Sequence, residues 1–202
     1  TSYLAFLAPG LLAAQAMQVS FGEMTYPVMG MIKWQKVYFS MIASPLTVGQ
    51  VVLGHLAFVM VRVALTCAVF VLVMAPFGVF ASVGGALLAF AVQLLVGLAF
   101  ATPLLGLSAG LKDESAFGIV FRLGMIPLFL FSGAFFPVEN LDRWMQGLAT
   151  ATPLWHGVDL TRMLTLGTVD LSAALVHVAY LVVLAALGWV WALRRLSRRL
   201  MT

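Results

Sequence analysis

Apolar residues fill the chain in long stretches that are separated by short polar segments. Five of these stretches approach or exceed the ~20 residues that an α-helix needs to cross a bilayer. They predict five membrane-spanning helices, over residues 3–21, 51–75, 82–111, 117–136 and 171–193. No polar segment long enough for a soluble domain lies between them. The pattern therefore predicts an all-α polytopic membrane protein in which residues 1–202 form one transmembrane domain.

Residues 31–44 have the spacing of an amphipathic helix rather than of a span. Lys33 and Lys36 share a narrow stripe with two serines, while Trp34 and other apolar residues lie opposite. Pro45 disfavours helix at the residue before it and so ends the pattern. We predict an interfacial helix, which either anchors the chain to the membrane surface or docks a cytoplasmic partner.

Residues 137–168 predict two further short helices. In the first, Leu141, Trp144, Met145 and Leu148 recur at i, i+3, i+4 and i+7, and the second ends at Gly167, a typical C-cap. Neither is long enough to cross a bilayer. We therefore predict a re-entrant helical hairpin in the outer leaflet, covered by protein or by a water-filled cavity.

Charged residues of the hairpin are placed where helix chemistry favours them. Glu139 and Asp142 fall near the N-terminus of the first short helix, where the helix dipole stabilises negative charge. Asp159 and Arg162 are three residues apart on the second and can pair along it.

Composition supports a membrane protein. The chain is 63% hydrophobic and 9% charged, and its mean hydropathy of +1.08 excludes a soluble domain of this length. One cysteine, Cys67, rules out a disulfide framework or a cysteine-based zinc site within the chain. The net charge of +4 reflects topology rather than nucleic-acid binding, because Lys and Arg gather at the ends of the predicted spans.

The distribution of Lys and Arg also predicts orientation. Cytoplasmic loops of membrane proteins carry an excess of Lys and Arg. If the loop after the first span is cytoplasmic, only Arg143 and Arg162 lie outside. The basic residues on the cytoplasmic side are then Lys33, Lys36, Lys112, Arg122, Arg194, Arg195, Arg198 and Arg199. The C-terminus is then cytoplasmic. Because the first residue is Thr and no secretory signal precedes it, we expect further N-terminal sequence, up to a whole span.

Arg62 is the residue that costs most to place in a membrane. A charge near the middle of a span costs a few kcal/mol, so its side chain must face protein or water and hold a partner. His55 lies on the same face, seven residues earlier. Arg62 is predicted either to pair structurally inside the bundle or to contact the substrate or gate.

Catalytic chemistry has little support in the sequence. His156 and Asp159 are three residues apart on one predicted helix and Glu139 adds a carboxylate, which could suggest a metal site or an acid/base pair. However, the chain lacks HExxH, GxSxG and CxxC, and its three histidines have no recurrent ligand spacing. We predict neither a catalytic residue nor a metal site.

The segment FLFSGAFFPVENLDRWMQGLATATPLWHGVDLTRMLTLG resembles the signature of ABC type-2 exporter permeases, and is especially similar to those of nodulation-factor (lipooligosaccharide) export and daunorubicin-type resistance. The beginning agrees too, in YLAFLAPGLL and ASPLTVGQVVLG, so the resemblance covers nearly the whole chain. Asp142 stands where the pattern often has proline. The residues that carry the signature are Ser132, Gly133, Phe136, Pro137, Trp144, Pro153, Leu154, His156, Asp159 and Arg162.

The resemblance implies six spans, the first of them preceding this chain, in a bacterial inner membrane. It implies export of an amphipathic or lipid-linked substrate such as a drug, glycolipid or lipooligosaccharide. ATP and Mg would be bound by a separate nucleotide-binding subunit, since the chain has no GxxxxGK[ST] phosphate loop. A second permease copy or a sister permease, and membrane lipids, are the other implied partners; nucleic acid is not one.

The resemblance also implies roles for particular residues. The cytoplasmic helix would contact the ATPase through Lys33, Trp34, Gln35 and Lys36. The substrate path or gate would be lined by Arg62, Phe129, Phe131, Ser132 and Phe135. The outer re-entrant segment would act through Pro137, Glu139, Trp144, His156, Asp159 and Arg162.

Two other classes of membrane protein stay open. A secondary transporter predicts a relay of acidic residues within the spans, whereas every acid from Glu23 to Asp170 lies at or outside a predicted span boundary. A non-transporting membrane scaffold predicts no ATPase partner and no effect of changes in the re-entrant segment.

Overall fold

The computed structural model describes residues 3–201. Most of these residues are helical and none lies in a strand, which confirms the predicted all-α class. Two π-helical segments, Gly30–Trp34 and Val120–Met125, and two 3₁₀ turns, Ala75–Phe77 and Val138–Asn140, join or extend the α-helices. In chain order the α-helices are α1 (Tyr3–Met24), α2 (Tyr26–Met29), α3 (Val37–Ile42), α4 (Val48–Met74), α5 (Val83–Gly110), α6 (Ser115–Ile119), α7 (Ile126–Phe131), α8 (Arg143–Thr150), α9 (Pro153–Leu166) and α10 (Leu171–Met201).

Four helical runs are long and apolar enough to cross a membrane: Tyr3–Trp34, Val48–Phe77, Val83–Gly110 and Leu171–Met201. They correspond to the first, second, third and fifth predicted spans. The fourth predicted span, residues 117–136, is a shorter apolar run, Ser115–Phe131.

The early end of the fourth predicted span has a local cause. Gly133 has a φ of +77°, a left-handed conformation that an α-helix cannot continue through and that glycine adopts without strain. Residues 132–136 therefore form a bend instead of continuing the helix.

The prediction of one continuous helix over residues 31–44 is wrong. The first helix continues through α2 to Trp34, the chain then breaks at Lys36, whose φ is +53°, and α3 starts again at Val37. Ile32 and Tyr38 are both buried, on either side of the break. In one regular helix these two side chains would point about 120° apart, so the break allows both to face the core.

Helices α1 and α5 form the centre of the bundle, with α4, α9 and α10 packed around them. Glycines allow the closest approaches. A Cβ added to Gly157 of α9 would lie 2.6 Å from Val96 of α5, and one added to Gly106 of α5 would lie 2.8 Å from Trp191 of α10. The helix axes can therefore approach more closely at these glycines than larger side chains would allow.

Helices α1, α4 and α5 alternate in direction and α10 runs parallel to α5, which gives the bundle two ends. At one end, which we call the inner end after the predicted orientation, Lys33 contacts Glu114. At the outer end the Ala81 N–H donates to the Thr165 carbonyl at 2.8 Å. The outer end thus holds the α4–α5 turn together with the C-terminal part of α9.

Helix α10 extends past residue 193, where its span was predicted to end, to Met201. The extension carries Arg199, whose Nη1 donates to the carbonyls of Ala109 at 3.3 Å and Leu111 at 2.5 Å. The last carbonyls of a helix have no partner within it. Arg199 therefore caps the inner end of α5.

Candidate functional site

The turn between the π-helical segment and α3 presents a continuous exposed surface at the inner end, made of Lys33, Trp34, Gln35 and Lys36. Trp34 is 57% exposed, which is unusual for so large an apolar side chain. These four are the predicted ATPase-contacting residues, and the structure brings all of them to one turn rather than to one face of a helix.

Lys33 fixes this turn to the loop between α5 and α6. Its Nζ lies 2.7 Å from Glu114 Oε2 and 3.4 Å from Asp113 Oδ1. The hydrogen bond from Lys33 lowers the pKa of Glu114, so this carboxylate stays ionised at neutral pH. The contact joins the exposed turn to the start of the run Ser115–Phe131.

Arg62 forms an ion pair with Glu23 of α1. Arg62 Nη1 lies 2.8 Å from Glu23 Oε1, and the two side chains are 53% and 19% exposed. The guanidinium also lies 5.9 Å from the centre of the Phe58 ring. The pair is therefore partly open on the side of the bundle, near the middle of α4.

The sequence pattern does not indicate Glu23 as the partner of Arg62, because the first predicted span ends at residue 21, before Glu23. In the structure the run Tyr3–Trp34 includes Glu23. His55, the neighbour predicted from spacing, instead packs edge-to-face on Tyr38 with ring centres 5.9 Å apart.

Most of the predicted path residues of the fourth span meet at the outer end of α7. The rings of Phe129 and Phe135 pack edge-to-face with centres 4.8 Å apart. Ser132 is buried, and its Oγ donates to the Phe129 carbonyl at 3.2 Å. Arg62 is not part of this group, since its contacts are with Glu23 and Phe58.

Phe131, the remaining predicted path residue, lines a separate cavity between α7 and α8. The cavity has a volume of about 350 Å³ and an almost wholly apolar lining that includes Leu123, Pro127, Trp144 and Leu148. Its chemistry fits a hydrocarbon chain rather than a polar group.

Arg162 ties the turn at Gly133 to α9 and α1. Its Nη2 donates to the Gly133 carbonyl at 2.8 Å and to the Phe6 carbonyl at 3.5 Å, and the guanidinium lies 4.0 Å from the centre of the Phe6 ring. Gly133 has a left-handed conformation in this turn, and Arg162 binds the Gly133 carbonyl there. This contact gives a physical reason for the glycine and the arginine of the signature segment.

A chain of hydrogen bonds links α9 to α10 near the outer end. His156 Nδ1 lies 2.7 Å from His177 Nδ1, and His177 Nε2 lies 3.1 Å from Asp159 Oδ2. A carboxylate only accepts, so His177 donates from Nε2 to Asp159, and the two Nδ1 atoms share one further hydrogen bond.

Asp159 thus pairs with His177 of α10 and not with Arg162, its predicted partner on the same helix. Burial and the neighbouring His177 lower the pKa of His156 to about 4, so that this imidazole is neutral at pH 7. His156 also stacks on Tyr180, with ring centres 4.0 Å apart. Sequence spacing could not identify His177 because it is 21 residues from His156.

The two predicted short helices of the outer segment are confirmed as α8 and α9. Asp142 occupies the N-cap of α8, Thr152 caps α9 by accepting from the Trp155 N–H, and Gly167 ends α9 with a φ of +71°. Pro137 and Glu139 belong to the 3₁₀ turn region before α8, where the Glu139 carbonyl accepts from Gln146 Nε2 at 3.2 Å.

Helices α8 and α9 differ in burial. Leu154 and Val158 of α9 are fully buried in the bundle core, where α9 packs on α1 and α5. Trp144 of α8 is 67% exposed and lies at the edge of the apolar cavity described above. One arm of the hairpin is thus built into the bundle and the other lies on its surface.

Within residues 3–201 no group of three or more His, Cys, Asp or Glu side chains is arranged to hold a metal ion. The His156–His177–Asp159 chain of hydrogen bonds joins α9 to α10.

A family model described as "ABC-2 type transporter" matches residues 1–166. Three proteins named Nodulation protein J are similar to the chain. That of Rhizobium leguminosarum bv. trifolii is 33% identical over 202 residues, that of Sinorhizobium fredii (strain NBRC 101917 / NGR234) 32% over 200, and that of Rhizobium meliloti (strain 1021) 31% over 200. Each match covers 99% of this chain and 76% of the relative. No solved structure matches the chain.

Proposed function

The chain belongs to the ABC-2 type transporter family, and on that basis we propose that it is the membrane-spanning subunit of an ATP-driven exporter. The proposed cargo is an amphipathic or lipid-linked molecule, such as a drug, glycolipid or lipooligosaccharide, taken from the cytoplasm or the inner leaflet. The membrane would be a bacterial inner membrane, with the C-terminus of the chain in the cytoplasm.

The observation that carries the proposal beyond family membership is the Arg62–Glu23 pair. Arg62 lies near the middle of a span, and its side chain is half exposed on the side of the bundle. A charged residue at that depth costs about 3 kcal/mol or more if it faces hydrocarbon. The pair is therefore best placed against a water-filled path or a second subunit, as an exporter assembled around a central path requires.

Energy for export would come from a separate subunit. The chain has three lysines, Lys33, Lys36 and Lys112, and none of them follows a glycine as a phosphate loop requires. The exposed turn of Lys33, Trp34, Gln35 and Lys36 supports a docking role, because an apolar ring flanked by charges is typical of an interface anchor. We propose that ATP and Mg²⁺ bind the docked subunit and that its closure moves this turn.

Cargo would leave at the outer end, between two copies of the permease or between this chain and a sister permease. The Phe129–Phe135 pair and the cavity lined by Phe131 and Trp144 offer apolar surface to an acyl chain or a hydrophobic drug. Helices α8 and α9 frame that exit, and the bonds of Arg162 and His177 hold α9 in place.

The proposal is tested by isolating the tagged chain from its native membranes. We expect it to copurify with a polypeptide that contains a GxxxxGK[ST] phosphate loop, and the reconstituted complex to hydrolyse ATP faster when its cargo is supplied. If the folded permease is isolated without such a polypeptide, the proposal is contradicted.

A secondary transporter is disfavoured by the placement of acids. Among the four long helical runs, only Tyr3–Trp34 contains a carboxylate, that of Glu23. This carboxylate is held by Arg62 at 2.8 Å. A single neutralised acid cannot form the relay that proton-coupled transport requires.

A further inference from the structure

The inner end of α10 is strongly basic. Four arginines follow one another in its last turns, and the whole helix contains no Asp or Glu. Arg199 is bound to the carbonyls that end α5. Arg194 and Arg195 are exposed, and within residues 3–201 no carboxylate lies at ion-pair distance from either. Their positive charge is therefore not paired by the part of the chain that the structure describes.

The position of these arginines along α10 places them at the level of lipid head groups. Before them, the exposed apolar side chains of α10 run from Leu171 to Trp191. About 20 residues at 1.5 Å each span roughly 30 Å, the thickness of the hydrocarbon core of a bilayer. Arg194 and Arg195 follow within about 6 Å, inside the head-group layer. Trp191 then lies at the interface, where tryptophan is enriched in membrane proteins.

Helix α5 gives the Arg195 side chain a defined position. Gly106 and Gly110 of α5 face Trp191 and Arg195 of α10, one turn apart on both helices. A Cβ added to Gly110 would lie 3.4 Å from Arg195 Nη1 and 3.6 Å from its Cζ. The guanidinium also lies 5.9 Å from the centre of the Trp191 ring. Arg195 therefore packs over Gly110, two residues before the exposed Lys112.

The chemistry of this surface defines what could cover it. A guanidinium binds two oxygens of a phosphate at once, and a nearby lysine adds a point charge. The apolar surface of α10 that includes Leu187 leads directly to the arginines, so one ligand with an acyl chain and a phosphate can contact both. A phosphatidylcholine head group carries its own ammonium and is neutral overall. Unpaired arginines therefore favour a lipid with a net negative charge.

We propose that the inner ends of α5 and α10 bind an anionic phospholipid. Arg195 holds the phosphate, Arg194 and Lys112 add positive charge, and the acyl chains lie along the apolar surface of α10 that ends at Trp191. This site is separate from the proposed cargo path, which lies at the outer end. The lipid phosphate lies beside the loop between α5 and α6, the loop that Lys33 joins to the exposed turn.

Native mass spectrometry of the chain in a non-ionic detergent, titrated with dioleoylphosphatidylglycerol, measures the dissociation constant of the first bound lipid. We expect this lipid to bind about tenfold more tightly than dioleoylphosphatidylcholine. Arg195→Gln should raise the dissociation constant for phosphatidylglycerol about fivefold, the contribution of one cation near a membrane surface. Arg143→Gln is the matched control, because it removes an exposed arginine at the outer end. It should bind like the unmodified chain.

Gly110→Leu tests whether the position of Arg195 matters as well as its charge. A leucine side chain at this position would displace the guanidinium and leave the net charge unchanged. We expect it to weaken binding as much as Arg195→Gln does. Gly118→Leu in α6 is the control, because a Cβ added to Gly118 meets nothing within 4 Å. Thermal melts in phosphatidylcholine nanodiscs establish that each variant is folded.

Three results would overturn the inference: equal affinity for the two lipids, equal losses in Arg195→Gln and Arg143→Gln, or unchanged binding by folded Gly110→Leu. Glycerol 3-phosphate is the soluble competitor. If it displaces phosphatidylglycerol at the concentration at which a second anionic lipid does, the site takes a free phosphate and the lipid is wrong.

The ATPase subunit is the alternative occupant of this surface. If Arg195→Gln keeps its lipid affinity but no longer copurifies with a polypeptide that contains a phosphate loop, the surface docks that subunit and the lipid is again wrong. The lipid titration contains no ATPase, so its result does not depend on the proposed export function.

Discussion

Arg62 of α4 and Glu23 of α1 hold one another across 2.8 Å, with the arginine half exposed on the side of the bundle. Each of the two helices is otherwise apolar for most of its length. Neither charge would be tolerated alone at this depth, which makes the pair a joint property of two helices that no single span reveals.

Arg62→Ala should lower the free energy of unfolding by about 1–2 kcal/mol. The loss is smaller than for a fully buried pair because the arginine is half exposed. Export in proteoliposomes should also fall. The double exchange Glu23→Arg with Arg62→Glu restores both charges and should recover stability. If Arg62→Ala assembles and transports normally, the pair has no role in the path or gate.

Gly133→Ala should destabilise the protein by about 2 kcal/mol, since an L residue is strained at positive φ. The φ of Gly133 is +77°, and an added Cβ would lie 2.9 Å from Val138. Thermal melts in nanodiscs measure the loss. Gly84→Ala is the control, because a Cβ there meets nothing. Equal melting temperatures for the two variants would show that the turn does not depend on glycine.

Stability should fall as pH drops from about 6.5 towards 4. His156 has its pKa lowered to about 4 by burial and by His177, so in this window the unfolded chain takes up a proton that the folded chain does not. Above the ordinary histidine pKa the effect vanishes. The effect is measured by melting curves of the unmodified chain and of His156→Gln across this pH range. The melting temperature of the variant should depend less on pH.

Asp170→Asn is the control for that pH series. Hydrogen bonds from Ser172 lower the pKa of Asp170 below its ordinary value of 3.8, so its titration lies below the window. The slope between pH 6.5 and 4 should therefore be unchanged in this variant. If the pH dependence of stability disappears in Asp170→Asn but persists in His156→Gln, the effect does not come from His156.

Trp34→Ala should weaken binding of the ATPase subunit about tenfold and uncouple ATP hydrolysis from cargo, as loss of a central aromatic anchor does at other interfaces. Lys36→Ala should uncouple as well, with a smaller effect on binding. Trp144 offers a matched comparison, because it is also a largely exposed tryptophan, at the outer end. Trp144→Ala should leave ATPase binding intact. Titration of each variant with the ATPase subunit measures the difference between Trp34→Ala and Trp144→Ala.

Glu139→Gln and Asp142→Asn should alter cargo release while leaving ATP binding by the partner subunit unchanged. Both residues lie at the start of the outer segment, before or at the N-cap of α8. Nucleotide-binding and export assays on the same complexes separate the two effects. Loss of ATP binding instead would place this segment on the other side of the membrane.

The long helices could be predicted because their signal is local: a run of apolar residues has to be long enough to span a membrane. The end of α9 could also be predicted, since Gly167 is a typical C-cap and does end the helix. The early end of the fourth predicted span was not visible, because Gly133 is one residue in an apolar run and its conformation is linked to Arg162 far along the chain.

Side-chain partners were the least predictable part of the candidate site. Helical spacing indicated Arg162 for Asp159 and His55 for Arg62, but the observed partners are His177 and Glu23. Both true partners lie on another helix. Sequence periodicity shows which residues share a face of one helix, and only the packing of helices decides which faces meet.

The short loop between α5 and α6 is fastened from two sides. Arg199 of α10 holds the Leu111 carbonyl, and three residues later Glu114 holds Lys33 beside Trp34. In the proposed docking, a displacement of Trp34 would reach the ends of α5, α6 and α10 through these two side chains. Lengthening the loop by a few residues would leave every helix intact and break that connection.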